Sequence, residues 1–207
     1  MSNPQPELAN IEVHGTTRVQ FLTRATIAAG AVYGAGAVSP FVRGALAQSS
    51  DADILNYALT LEYLEAGFYT AALKQTKGLS SDVMKLAKEL RDNEEAHVDA
   101  LRTAIKGAGG KPVMAPRADF GNAFAGEASF LKAANTFEDT GVSAYNGAAP
   151  AIKAAAVLNA AGSIVQVEAR HAAALRFLGG MDPTKGPFDQ PLAKAKVLAA
   201  VKPLIKA

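Results

Sequence analysis

IVQVEARHAAAL, residues 164–175, holds Glu168, the only acidic side chain between Asp139 and Asp182, together with His171, one of two histidines beyond residue 50. In a helix, Glu and His three positions apart lie about one turn from each other and project from the same face. That face is apolar, flanked by Ile164, Val165, Ala172 and Leu175. A carboxylate turned into such surroundings is costly unless a counter-charge meets it. The other histidine stands in the same arrangement, Glu94-Glu95-Ala96-His97, on a stripe with Leu90, Val98 and Leu101. One such motif alone is an ordinary solvated charge pair. Two of them, using both histidines and both set on apolar stripes, predict two helical turns that each grip a metal ion. Glu95 and Arg170 point off the stripes and are read as surface charges.

Outward from these motifs the apolar positions recur with helical period. A first helix is predicted from an N-cap at Ser50-Asp51 to Gly78, through Leu55, Leu59, Glu62, Ala66, Tyr69 and Leu73. A second, capped by Ser80 or Ser81, runs to Gly107 and is antiparallel to the first because the link is short. Residues 107–125 (GAGGKPVMAPRADFGNAFA) carry two prolines and four glycines and form a long crossover. A third helix starts near Gly126 and breaks around residues 147–150; Pro150 then suits the first turn of a fourth, through Ile152, Leu158 and Val165 to Gly179-Gly180. Residues 181–207 form a tail, irregular at first, with a short amphipathic piece at 194–201. No sustained period-two alternation appears. The fold class is all-α: a four-helix bundle of two antiparallel pairs joined by one long crossover.

The two helices without a Glu-x-x-His motif each offer one carboxylate to bridge or terminate a two-metal site, Glu62 and Glu138, each followed seven residues later by a tyrosine, Tyr69 and Tyr145. Glu62 and Glu138 stand 76 residues apart, as do Tyr69 and Tyr145; Glu94 and Glu168 stand 74 apart, as do His97 and His171. The chain thus reads as an internal duplication of a helical hairpin with pseudo-two-fold symmetry. Glu65 rivals Glu62 one turn on, but its counterpart is Gly141, so the duplication selects Glu62 and leaves Glu65 as an extra ligand or an acid beside the ligands. Tyr69 and Tyr145 read either as amphipathic core aromatics or as contacts to the ligands. Asp99, Arg102 and Asn135 are candidate outer partners.

One Glu from each of two helices plus a Glu-x-x-His from each of the other two resembles the ferritin-like di-iron/di-manganese carboxylate family, which includes bacterioferritin and rubrerythrin. Within it the chain looks most similar to exported, desiccation-related ferritin-like proteins. The resemblance spans about residues 52–180. It implies two Fe or Mn ions held by Glu62, Glu94, His97, Glu138, Glu168 and His171, with Tyr69 and Tyr145 behind them. No extra helix, cysteine module or cage-forming surface accompanies it, so iron storage and rubrerythrin-type electron transfer are not implied.

The 207 residues, 49% apolar and 19% charged, are enough for one packed domain. With no cysteine, thiolate metal sites, Fe–S clusters and disulfides are excluded, so any metal must be held by oxygen and nitrogen. A net charge of +2 and the lack of a basic block interleaved with aromatics argue against nucleic acid. Residues 25–42 (ATIAAGAVYGAGAVSPFV) are uncharged, and Ala45-Leu46-Ala47 is an A-x-A cleavage pattern, so residues 1–47 read as a signal peptide and 48–180 as the bundle. Thr17-Arg18-Val19-Gln20-Phe21-Leu22 resembles a twin-arginine signal with Val19 where the second arginine belongs. An uncleaved anchor is the alternative and would be the one membrane contact. The expected location is periplasmic or extracellular. Two functions compete: an oxidoreductase acting on Fe(II), O2 or H2O2 in stress defence, and a non-catalytic metal-binding stress protein of the envelope. A third reading stands against both: an interaction module whose C-terminal tail, residues 188–205, docks a partner or a second subunit; a homo-oligomer is compatible with all three.

Overall fold

In the computed structural model, Ser50 opens the bundle with a reciprocal cap. Its hydroxyl accepts from the Asp53 N–H (3.1 Å) while the Asp53 carboxylate accepts from the Ser50 N–H (3.0 Å). The structure describes residues 50–206 and, before them, only the antiparallel pairing of β1 (Glu12–Val13) with β2 (Thr16–Thr17). That pairing belongs to a unit of residues 1–45, distinct from the unit of residues 46–207 treated below. The apolar run and cleavage pattern read as an export signal lie outside the described residues.

Helix α1 spans Asp51–Gln75, α2 Ser81–Gly107, α3 Glu127–Ala148 and α4 Ala155–Leu178. Ser80, not Ser81, caps α2, its hydroxyl accepting from the Val83 N–H. Helix α1 packs on α2 and α3 on α4, the two hairpins of the duplication. The start of α4 departs from expectation. Pro150 lies in a separate 3-10 turn, Ala149–Ala151, and the chain is extended at Ile152 before the helix begins at Ala155. The Asp51 carboxylate takes the Lys153 and Ala154 N–H groups (2.9 and 2.8 Å) and so fixes where α4 starts. Leu158, expected on the buried stripe, is consequently 43% exposed.

The crossover is pinned rather than free. The Asn56 amide donates to the Lys111 carbonyl and accepts from the Val113 N–H. Strand β3 (Arg117–Ala118) then pairs antiparallel with β4 (Ile205–Lys206) from the tail, a pairing too short to leave any alternation in the sequence. A 3-10 turn at Gly121–Phe124 follows, and Phe120 and Phe124 pack on Phe68. The tail folds onto its own bundle: the Leu192 N–H donates to the Ser143 carbonyl, and a Cβ at Gly147 would collide with the Leu192 carbonyl. Helix α5 (Lys194–Val201) buries Val197 and Val201 against Ile54, Tyr57 and Ala144. The amphipathic piece considered above for docking a partner thus spends its buried face inside the chain. Among the described residues no helix is long and apolar enough to cross a membrane.

Candidate metal centre

Helical register brings the six residues singled out by the duplication to one place at the middle of the bundle. Glu62 comes from α1, Glu94 and His97 from α2, Glu138 from α3, and Glu168 and His171 from α4. All four carboxylates are fully buried, and the two imidazoles nearly so. His97 Nδ1 faces Glu62 Oε2 (3.3 Å), Glu94 Oε2 (3.0 Å) and Glu168 Oε1 (2.9 Å). His171 Nδ1 faces Glu94 Oε1 (3.0 Å), Glu138 Oε2 (3.2 Å) and Glu168 Oε2 (3.6 Å). The symmetry is that of the sequence: each nitrogen meets one carboxylate of its own and shares Glu94 and Glu168 with the other.

That sharing alters the expected division of labour. Each Glu-x-x-His turn was expected to grip its own ion. Instead the two convergent groups are Glu62, Glu94, His97, Glu168 and Glu94, Glu138, Glu168, His171, with both motif glutamates common to the two. The motif carboxylates face both groups, and Glu62 and Glu138 one each. Within each group the donor atoms lie within 4.8 Å of one another. A single ion with bonds of about 2.1 Å spans a comparable distance across its coordination sphere.

The donor chemistry fits such ions. Glu62 Oε2, Glu94 Oε1 and both Glu168 oxygens are buried without a hydrogen bond. An Nδ1–H serves one oxygen well, not three. Burying such oxygens is expensive unless something cationic fills the space between them. Carboxylate and imidazole together suit iron and manganese. A buried Glu/His cluster that could hold metal is therefore built into the core.

Without metal the cluster distributes its protons unevenly. Burial raises Glu62 and Glu138 well above the usual carboxylate range, despite the opposing imidazoles. Burial acts on Glu94 and Glu168 too, but His171 and His97 reverse it, lowering Glu94 and bringing Glu168 down to about 2. Burial lowers the imidazoles, yet their carboxylate neighbours prevail and push both up to about 12. In the metal-free cluster the imidazoles and the motif carboxylates are therefore held toward their charged forms, and Glu62 and Glu138 toward their neutral ones.

The tyrosines cross between hairpins. Tyr145 donates to Glu62 Oε1 (2.5 Å) and Tyr69 donates to Glu138 Oε1. Each phenol thereby orients a buried carboxylate of the opposite repeat. Glu65 is buried beside the cluster but outside both convergent groups, and burial, with Glu168 next, raises it strongly. Its Oε1 lies 3.0 Å from where a Cβ of Gly141 would stand. The absent side chain in one repeat makes room for the extra acid in the other.

The outer partners differ from expectation. Asp99 and Arg102 are exposed and face each other at 3.8 Å, and the Asn135 amide donates to the Ala172 carbonyl; none of these contacts reaches a ligand. Asn93 does, its amide lying 3.0 Å from His171 Nε2. The atom in contact is the amide nitrogen, so Asn93 donates to the ring and holds the imidazole's orientation beside the cluster. Its equivalent in the other repeat is Val167, so the duplication carried no signal for it.

Comparison with known proteins places these observations. No curated protein matches the chain significantly. The family profile described as "Ferritin-like domain" matches residues 50–180, from the Ser50 cap to the glycine after α4, and the chain belongs to this ferritin-like family.

Proposed function

We propose that this chain holds two iron or manganese ions between Glu62, Glu94, His97, Glu138, Glu168 and His171, and uses them as an oxidoreductase on Fe(II), O2 or peroxide in stress defence. The observation that carries the reading is the set of four buried carboxylate oxygens without hydrogen bonds, converging with two imidazole nitrogens. Two such ions side by side supply one electron each, a pair suited to an oxygen–oxygen bond. The protein residues hold and orient. Tyr69 and Tyr145 fix Glu138 and Glu62, Asn93 orients the His171 ring, and the apolar walls of the bundle keep bulk water from the cluster. The exported, desiccation-related character belongs to the same proposal and rests on residues 1–47.

Purified chain is loaded with Fe(II) or Mn(II), its metal content measured, and Fe(II) oxidation and H2O2 consumption followed. About two ions per chain are expected, and Glu168→Ala, which removes a ligand shared by both groups, abolishes binding. Less than one ion per chain, with no effect of Glu168→Ala, overturns the site. Full binding without turnover by either oxidant favours the non-catalytic metal-binding protein. For export, the expected N-terminus of the secreted or periplasmic protein is near Gln48, and intact chain in the cytosol overturns it.

A further inference from the structure

Beside the cluster lies a cavity of about 20 Å³ with almost entirely apolar walls, among them Ile54, Tyr57, Ala58, Leu61, Ala144 and Tyr145. Its position follows from the duplication. At the other end of the site the equivalent volume is filled by Phe68, Phe130 and Phe137, whose rings stack or tilt together at 4.8–5.7 Å. Shifted by the 76-residue repeat, those positions become Ala144, Ile54 and Leu61. Three aromatic rings at one end of the site, Phe68 from the first repeat with Phe130 and Phe137 from the second, are answered at the other end by three smaller side chains, which line the cavity. Its wall includes Tyr145, whose hydroxyl is bonded to Glu62, so the cavity is one side chain away from a carboxylate of the cluster.

The second observation concerns Tyr57. It is 6% exposed, lines this cavity, and its hydroxyl is buried without a hydrogen-bond partner. A space of this size admits one water-sized molecule, but a buried water needs two to four polar partners. Here the Tyr145 hydroxyl is already spent on Glu62, which leaves one free hydroxyl. Water and hydrogen peroxide are both poorly held in such a place. A diatomic apolar gas needs no hydrogen bonds, fits the space, and gains dispersion contact with the aliphatic wall.

We propose that this cavity is a docking site for dioxygen beside the metal cluster. The proposal rests on the two-metal reading above and sharpens it, naming O2 rather than peroxide as the oxidant the protein is shaped to admit.

Two experiments on the full chain test it. Crystals of metal-free protein under xenon pressure should show one xenon atom between Ala144, Ile54 and Tyr57; an ordered water there, or no xenon, overturns the proposal without touching the metal site. In the second, Ala144→Phe restores the ring that the other repeat carries. Loaded with Fe(II), this variant should bind as much metal as the parent and react with H2O2 within about twofold of it, while its reaction with O2 slows at least tenfold. An unchanged O2 rate, or equal slowing of both oxidants, overturns the cavity's role. If Ala144→Phe does not fold, Ala144→Leu fills less space and the xenon result stands alone. A parent protein that binds xenon but neither metal nor oxidant sinks the proposed function while leaving the cavity, so the two failures are distinguishable.

Discussion

Tyr69 and Tyr145 make the same bond from the two halves of the duplication, yet they live in different surroundings. Tyr69 is sealed by aromatic packing, with Phe68 edge-on at 5.3 Å, Phe130 at 6.2 Å, and Phe120 and Phe124 brought over Phe68 by the crossover. Tyr145 sits among aliphatic side chains, Leu55, Leu59 and Ile164 with Ala58 and Ala161, and lines a cavity. The ligands obey the symmetry and the packing around them does not. Symmetry is therefore kept among the buried carboxylates, imidazoles and phenols, and abandoned in the apolar packing on either side of them. The largest expected effect comes from opening the sealed side: Phe68→Ala, at a fully buried ring, should cost about 3–5 kcal/mol by chemical denaturation. Ile54→Ala, at the position equivalent to Phe130, should fall near the lower end of about 2–5 kcal/mol, because it enlarges a space already present. Equal losses would mean that the two sides are packed alike.

Next in size is the response of the metal-free cluster to pH, which both halves share. His97 and His171 are raised from about 6.5 to about 12. Stability from the imidazolium ions is fully present below pH about 6.5 and declines as pH climbs toward 12. Glu168 is lowered to about 2, so its contribution is present above the ordinary glutamate value and lost as pH falls through about 2. Denaturant midpoints of metal-free protein should therefore fall from pH 7 to pH 10, and fall again below pH 4. Metal loading must displace both imidazolium protons and those of Glu62 and Glu138. Calorimetry in buffers of different ionisation enthalpy should detect release of about four protons per chain. Release of two or fewer would show that Glu62 and Glu138 are already ionised.

The third comparison uses the phenols themselves. Tyr69→Phe leaves a Glu138 oxygen without its donor in a sealed aromatic pocket and should cost about 1–3 kcal/mol. Tyr145→Phe does the same to Glu62, but its looser surroundings beside the cavity let the side chains relax around the lost donor, so the loss should be the smaller of the two. Thermal or urea unfolding of the pair checks the order, and the reverse order would remove the cavity from the explanation.

What could be read from residues alone follows from what a repeat preserves. The four helices, the crossover and the members of the buried Glu/His cluster were legible because apolar period, caps and two offsets of 76 and 74 residues constrain them independently. The membership of Glu94 and Glu168 in both convergent groups was not, since one helix face cannot tell which oxygen meets which neighbour. Asn93 was illegible for a related reason: it touches His171 across two helices, and its counterpart Val167 breaks the repeat. The delayed start of α4 was hidden because its cap, Asp51, lies about a hundred residues earlier in the chain. Pro150 offered a local signal, and a distant carboxylate overrode it.

The smallest expected effect is at the one place where the two halves exchange volume. Gly141 and Glu65 occupy equivalent positions, and the acid sits in the space the glycine leaves. Gly141→Ala gains about 1 kcal/mol of helix propensity in α3. Against this, the new Cβ would stand 3.0 Å from Glu65 Oε1, and overpacking in a core costs about 1–3 kcal/mol. The contact is with the far end of a side chain, which can give way, so the two terms nearly cancel and unfolding should shift by less than about 1 kcal/mol. Metal binding separates the consequences. If Glu65 joins an ion, Glu65→Gln lowers the proton release on loading by about one and weakens binding, and Gly141→Ala, by displacing the carboxylate, weakens binding in the same direction. If Glu65 only fills the space, both variants load metal with the parent's proton count, and the ligand set closes at six.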